Sequence, residues 1–130
     1  MPELRTEMVR FAIAGVAGLL VDIAVLYGAQ ALGTGWYLGR VLSFLAAVYV
    51  TWRINRRYTF QSRAAGSTWQ EWWRYLSAMA GGGAVNYAAY SAVLLALPAA
   101  RWVPLFAVAA GSVAGMGVNF LSARYFVFKR

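Results

Sequence analysis

Two charged side chains stand inside otherwise apolar runs of this chain, Asp22 within residues 11–32 and Arg40 within residues 36–52. A carboxylate in such surroundings takes a hydrogen-bonding partner or a polar cavity, and a guanidinium there is a natural phosphate clamp. Two amides, Asn86 and Asn119, occupy later apolar runs and suit either helix packing or contact with sugar hydroxyls. A third group joins arginine to aromatics. Residues 52–60 read WRINRRYTF and residues 120–128 read FLSARYFVF. Interleaved in this way, arginine and aromatic rings suit a phosphate attached to a sugar, although the same arginines also serve as a topology signal and an anchor for anionic lipid.

What surrounds these groups is lipid-like. Of 130 residues, 62% are hydrophobic and only 12% charged, against about half apolar and a quarter charged in an ordinary soluble domain. A soluble domain of this length leaves about a third of its unfolded-chain surface wet, too much for such a composition. Histidine and cysteine are both absent, which excludes imidazole acid/base chemistry, thiolate nucleophiles, disulfides and the commonest zinc sites. With no nucleophile-base pair and no metal constellation, the chain does not read as an enzyme, and it implies neither cofactor nor metal. The net charge of +8 belongs beside hydrophobic spans as an orientation signal, so no nucleic-acid partner is expected.

These observations predict an all-α integral membrane protein with four transmembrane helices over about 9–32, 36–54, 73–97 and 102–123. The first run is too long for a signal-peptide core and carries no cleavage pattern. Gly33-Thr34-Gly35 makes a turn, and Trp36 and Trp52 bracket the second span as interfacial aromatics do. Residues 53–74 read as a polar connecting loop broken at Ala64-Ala65-Gly66-Ser67, with Trp69, Trp72 and Trp73 forming a short amphipathic lead-in at the interface. Of the 12 basic residues, ten lie in the N-terminal tail, this loop or the C-terminal tail; Arg40 and Arg101 are the exceptions. An even number of spans puts those three segments on one face, which the positive-inside rule makes cytoplasmic for both termini.

The chain is one transmembrane domain, residues 1–130, written as two hairpins: repeat 1 over about 9–60 and repeat 2 over about 73–128. Arg10-Phe11 matches Arg74-Tyr75, Gly18 matches Gly82, Arg56 matches Arg124 and Phe60 matches Phe128. A two-helix repeat keeps its direction, so these are parallel repeats. The mismatches carry more information. Asp22 has Asn86 as its counterpart, and Arg40 has Val108. Asp22 lies about 18 Å from either end of a helix over 9–33, near a bilayer centre, where a carboxylate costs about 2.5–3.5 kcal/mol. It either hydrogen-bonds another helix or sits protonated, or it serves a substrate path; the expectation taken is the path. Arg40 either snorkels to the outer interface or points inward. Gly15, Gly18 and Asp22 share one helical face, and Gly111, Gly115 and Asn119 share another, a pattern that suits close helix contact.

The segments RFAIAGVAGLLVD at 10–22, NRRYTF at 55–60 and NFLSARYFVF at 119–128 resemble the GtrA-like family of small four-helix membrane proteins. That resemblance implies a role in cell-surface polysaccharide synthesis in a bacterial or archaeal cytoplasmic membrane. The activity it implies is movement of a polyprenyl-phosphate-linked monosaccharide from the cytoplasmic to the outer leaflet. It carries over Arg10, Asp22, Asn55, Arg56, Arg57 and Arg124; the family's asparagine near the end of helix 2 is Thr51 here. In a flippase, Arg56, Arg57 or Arg124 would receive the phosphate, Asp22 with Asn86 would hold the sugar, Asn119 would add a hydroxyl partner, and Arg40 would attract the phosphate outside. Two other readings stay open: a scaffold recruiting a glycosyltransferase, which needs neither Asp22 nor Arg40, and a small-cation exporter, which the arginine clusters oppose. Membrane lipid and a polyprenyl-phosphate sugar are the expected partners. A homodimer is expected as well, because four helices, two of them short, enclose little volume.

Overall fold

A computed structural model describes residues 2–60 and 68–128, all of them helical or in short turns. Two compact units divide the chain, residues 1–63 and 64–130, and each is a helical hairpin.

In the first unit, α1 (Pro2–Ala31) is followed by α2 (Trp36–Ile54), which runs on into a π-helical turn, Asn55–Thr59. The expected start near residue 9 marked where the chain turns apolar. The helix itself begins at Pro2, because proline is tolerated in a first turn, Glu3 suits the positive end of the helix dipole, and Leu4 to Met8 hold no helix breaker. Between the helices the chain reverses through Gly33 (φ 86°) and Gly35 (φ 83°), a left-handed backbone open to glycine at little cost. The amide of Thr34 donates to Ala29 O at 3.1 Å, satisfying a carbonyl that the helix end would otherwise orphan. At the other end, Phe60 N–H donates to Asn55 O at 2.9 Å to close the wide turn, and the Phe60 ring meets Phe11 edge-on at 6.2 Å.

The second unit repeats this plan. α3 (Thr68–Ala96) packs on α4 (Val103–Ser122), which ends in a π turn at Ala123–Val127. Phe128 N–H donates to Ala123 O at 2.8 Å, and the Phe128 ring lies 6.1 Å from Tyr75. The polar segment 53–74 is therefore not a loop throughout: residues 53–59 end one helix and residues 68–74 begin another. Trp69, Trp72 and Trp73 belong to α3 itself. The rings of Trp69 and Trp73 touch on an exposed face, and Glu71 between them in sequence is buried. The break at 64–67 and Arg63 lie outside the described residues, as do Lys129 and Arg130.

Burial follows the repeat. Buried in α1 are Glu7, Phe11, Ala14 and Gly18; buried in α3 are their counterparts Glu71, Tyr75, Ala78 and Gly82. Their spacing of four, three and four residues is one face of a helix. Trp52, Asn55, Thr59 and Phe60 are buried like their counterparts Phe120, Ala123, Val127 and Phe128. The outward faces hold Leu19, Leu20 and Ile23 in one unit and Leu105, Phe106 and Val113 in the other, all exposed. Such surfaces suit lipid rather than water. Among the described residues, two helical stretches, Glu3–Ala31 and Val103–Val127, are long and apolar enough to cross a membrane.

Candidate functional site

The two isolated charges of the first hairpin form a pair. Arg40 Nη1 donates to Asp22 Oδ1 at 2.5 Å. The same nitrogen donates to Ser43 Oγ at 3.0 Å, and Ser43 in turn donates to the Arg40 carbonyl at 3.0 Å. Helical side chains lean towards their helix N-terminus, which for α2 is the turn end of the hairpin. Arg40 instead reaches in the direction of Ser43, further along α2, so it does not snorkel towards the turn. Asp22, nine residues before the end of α1, sits about 14 Å from that end. Its side chain is 19% exposed and that of Arg40 57%. The carboxylate is thus sheltered by the seam while much of the guanidinium stays open. Ser43, fully buried, is absent from the residues that sequence reasoning selected. Its signal was its place one turn after Arg40.

The seam is close enough for this contact because glycine lines it. A Cβ on Gly39 would meet Thr34 Oγ1 at 3.2 Å, Leu26 Cδ1 at 3.4 Å and Ala29 Cβ at 3.5 Å. One on Gly18 would collide with Thr51 Cγ2. Gly15, expected to share this contact face, has open space around it.

The second hairpin has no charge at these positions and closes on glycine more tightly. A Cβ on Gly111 would fall 2.6 Å from the Asn86 carbonyl oxygen, and one on Gly115 would fall 2.9 Å from the Gly82 carbonyl oxygen. A Cβ on Gly82 would collide with Asn119 Oδ1. Asn86 and Asn119 are therefore both packed on the α3/α4 seam. Asn119 Oδ1 is buried with no hydrogen-bond donor among the described residues.

A family model for the GtrA/DPMS transmembrane domain matches residues 10–128, nearly the whole chain. The chain belongs to that family. No curated protein matches it. As a GtrA/DPMS domain with long apolar helices it is an integral membrane protein, and membership suggests a role in lipid-linked sugar translocation or synthesis.

Within this GtrA/DPMS domain the remaining selected residues gather at the π turns. Arg10 Nη1 donates to the Tyr58 carbonyl at 3.0 Å, bracing the end of α2 from α1. Asn55 is buried, and its Oδ1 accepts a hydrogen bond from Thr59 Oγ1 at 2.8 Å, which ties the π turn together. Arg56 and Arg124 are partly buried at equivalent places, and Arg124 also lies over the Tyr125 ring at 5.3 Å. Arg57 is exposed and lies over the exposed Tyr58 ring at 5.5 Å. The expected interleaving of arginine with Trp52, Tyr58 and Phe60 resolves differently for each ring. Trp52 and Phe60 face the interior and pack; Tyr58 alone of the three is open. That Glu7 and Glu71 are counterparts, each buried in its own hairpin, escaped the sequence reading because the repeat was aligned only from Arg10 onward, where the chain becomes apolar.

Proposed function

We propose that the protein is a flippase that carries a polyprenyl-phosphate-linked monosaccharide from the cytoplasmic to the outer leaflet for cell-surface polysaccharide synthesis. In this reading all four helices span the membrane, both termini are cytoplasmic, the working form is a homodimer and no covalent chemistry is performed. The observation that carries it is the Asp22–Arg40 pair set in an apolar hairpin of a GtrA/DPMS domain. Unpaired charges at such depth cost several kcal/mol, so they are kept neutral by each other until an anionic headgroup arrives. The guanidinium then has a phosphate to receive, and the carboxylate balances its charge between visits. Arg57 with Tyr58 offers a first contact for phosphate at the arginine-rich end of the hairpin.

The test is transport of a fluorescent polyprenyl-phosphate sugar by the purified protein in proteoliposomes. Wild type should move it across the bilayer, and Asp22→Asn should reduce the rate at least about tenfold while retaining a monodisperse, helical protein, because the arginine charge is left uncompensated. A wild-type rate in Asp22→Asn would sink the mechanism. The family's span over translocation and synthesis supports a second reading, a scaffold for a membrane glycosyltransferase. That reading is favoured if an enzyme copurifies equally with wild type and Asp22→Asn while neither protein transports.

A further inference from the structure

We infer that Arg40 is a preset fork for the two non-bridging oxygens of a lipid phosphate, with Asp22 and Ser43 as the residues that position it; this rests on the flippase reading. A guanidinium has five N–H donors. Both hydrogens of Nη1 are committed, one to Asp22 Oδ1 and one to Ser43 Oγ. The Nε–H and the two Nη2–H groups have no protein acceptor among the described residues. They form the Nε/Nη2 edge that binds an oxyanion through two parallel hydrogen bonds.

Three features make this edge a site rather than a leftover. The guanidinium is held from one side only, by a sheltered carboxylate and a fully buried serine, while its side chain is 57% exposed. Its plane is therefore fixed before any ligand arrives, which lowers the ordering cost of binding. Asp22 supplies a counter-charge without filling the open edge, so a lipid phosphate can add without first breaking the pair. The second hairpin also lacks the whole device at once: Asp22, Arg40 and Ser43 have Asn86, Val108 and Gly111 as counterparts. Joint replacement of all three is what a working unit would show. Ligand chemistry follows from the fork and its setting: a phosphate on a long apolar chain, since the hairpin that carries the fork exposes Leu19, Leu20, Val41 and Leu42.

Binding to the full chain in phosphatidylcholine nanodiscs tests this, with four probes: polyprenyl monophosphate, the parent polyprenol, phosphatidylglycerol and inorganic phosphate. Polyprenyl monophosphate should bind wild type at least about tenfold more tightly than polyprenol, and Arg40→Lys, which keeps the charge and loses the fork, should erase most of that ratio. Ser43→Ala should lower the ratio about threefold and leave polyprenol affinity unchanged, a split that loss of fold would not give. The double variant D22N/R40V, copying the second hairpin, guards against misfolding: it should bind both polyprenyl probes alike. A wild-type ratio in Arg40→Lys overturns the inference, and so does equal binding of inorganic phosphate; phosphatidylglycerol, a lipid phosphate with the same two non-bridging oxygens, should share the wild-type preference over polyprenol and lose it in Arg40→Lys. Transport by wild type with an unchanged ratio in Arg40→Lys would remove the fork and leave the flippase; a normal ratio without transport would remove the flippase and leave the fork.

Discussion

The two hairpins share a frame and differ along the seam. Each has a buried acid near its first turns, an aromatic contact between the first helix and the end of the second, and a π turn closed by a phenylalanine amide. At the middle of the seam the first hairpin places Ser43 and Ala47 where the second has Gly111 and Gly115. In the first hairpin the seam therefore carries side-chain atoms beside the aspartate-arginine pair. In the second hairpin backbone meets backbone, and only amides remain. The duplicated fold thus has one copy closed on glycine and the other carrying a charge pair, with the tighter packing in the second.

Breaking the pair tests the comparison most severely. Arg40→Val alone leaves Asp22 without its counter-charge in an apolar seam and should cost about 3 kcal/mol, seen as a large drop in thermal stability in detergent and in the yield of monodisperse protein. D22N/R40V should recover most of that loss, because Asn86 and Val108 already occupy these positions in the other copy. Transport should stay absent. If the double variant is no more stable than Arg40→Val, the two charges do not form an energetic unit.

The next test moves the first hairpin's atoms into the second. Gly115→Ala adds a methyl 2.9 Å from the Gly82 carbonyl and 2.8 Å from Asn86 Cβ. A carbonyl of a helix cannot rotate away, so the helices must part, at about 2 kcal/mol. Gly15→Ala, where nothing lies within 4 Å, should stabilise slightly through the better helix propensity of alanine. Equal melting temperatures for the two variants would show that backbone contact does not set the α3/α4 seam.

Much of this frame was legible from residues alone. Glycines and the turn at 33–35 announced the hairpin, and the pairing of Phe60 with Phe128 and Arg56 with Arg124 announced the repeat, because a duplicated packing face requires duplicated side chains. The pair itself was readable only in part. Asp22 and Arg40 stood out as isolated charges, but their contact depends on Arg40 reaching against the usual lean of a helical side chain, which hydropathy does not encode. The π turns were hidden for a different reason: the residues of 55–59 are as compatible with an ordinary helix, and a widened turn arises from tertiary contacts such as Phe11 on Phe60 and Arg10 on the Tyr58 carbonyl. The match of Glu7 to Glu71 was overlooked because both precede the apolar runs, although the repeat register that matches Arg10 to Arg74 also matches these two acids.

The smallest expected effect lies at the π turns, where the copies differ in a side-chain hydrogen bond. Thr59 donates to Asn55 in the first turn at 2.8 Å, and Ala123 and Val127 stand in their places in the second. Since Ala123 and Val127 close an equivalent turn without that bond, the turn does not depend on it for its shape. Thr59→Val removes the donor, keeps the volume and leaves the buried Asn55 short of one partner, which should cost about 1 kcal/mol. Asn55→Ala should cost more, since the amide is buried and makes further contacts of its own. In the double variant the desolvated acceptor is gone along with its donor, so its loss should fall short of the sum of the single losses by about 1 kcal/mol. A double-mutant cycle read by denaturant or thermal unfolding in detergent measures that coupling. Strict additivity would mean that the bond seen in the first turn adds nothing, and that the two ends of the repeat are energetically as well as geometrically alike.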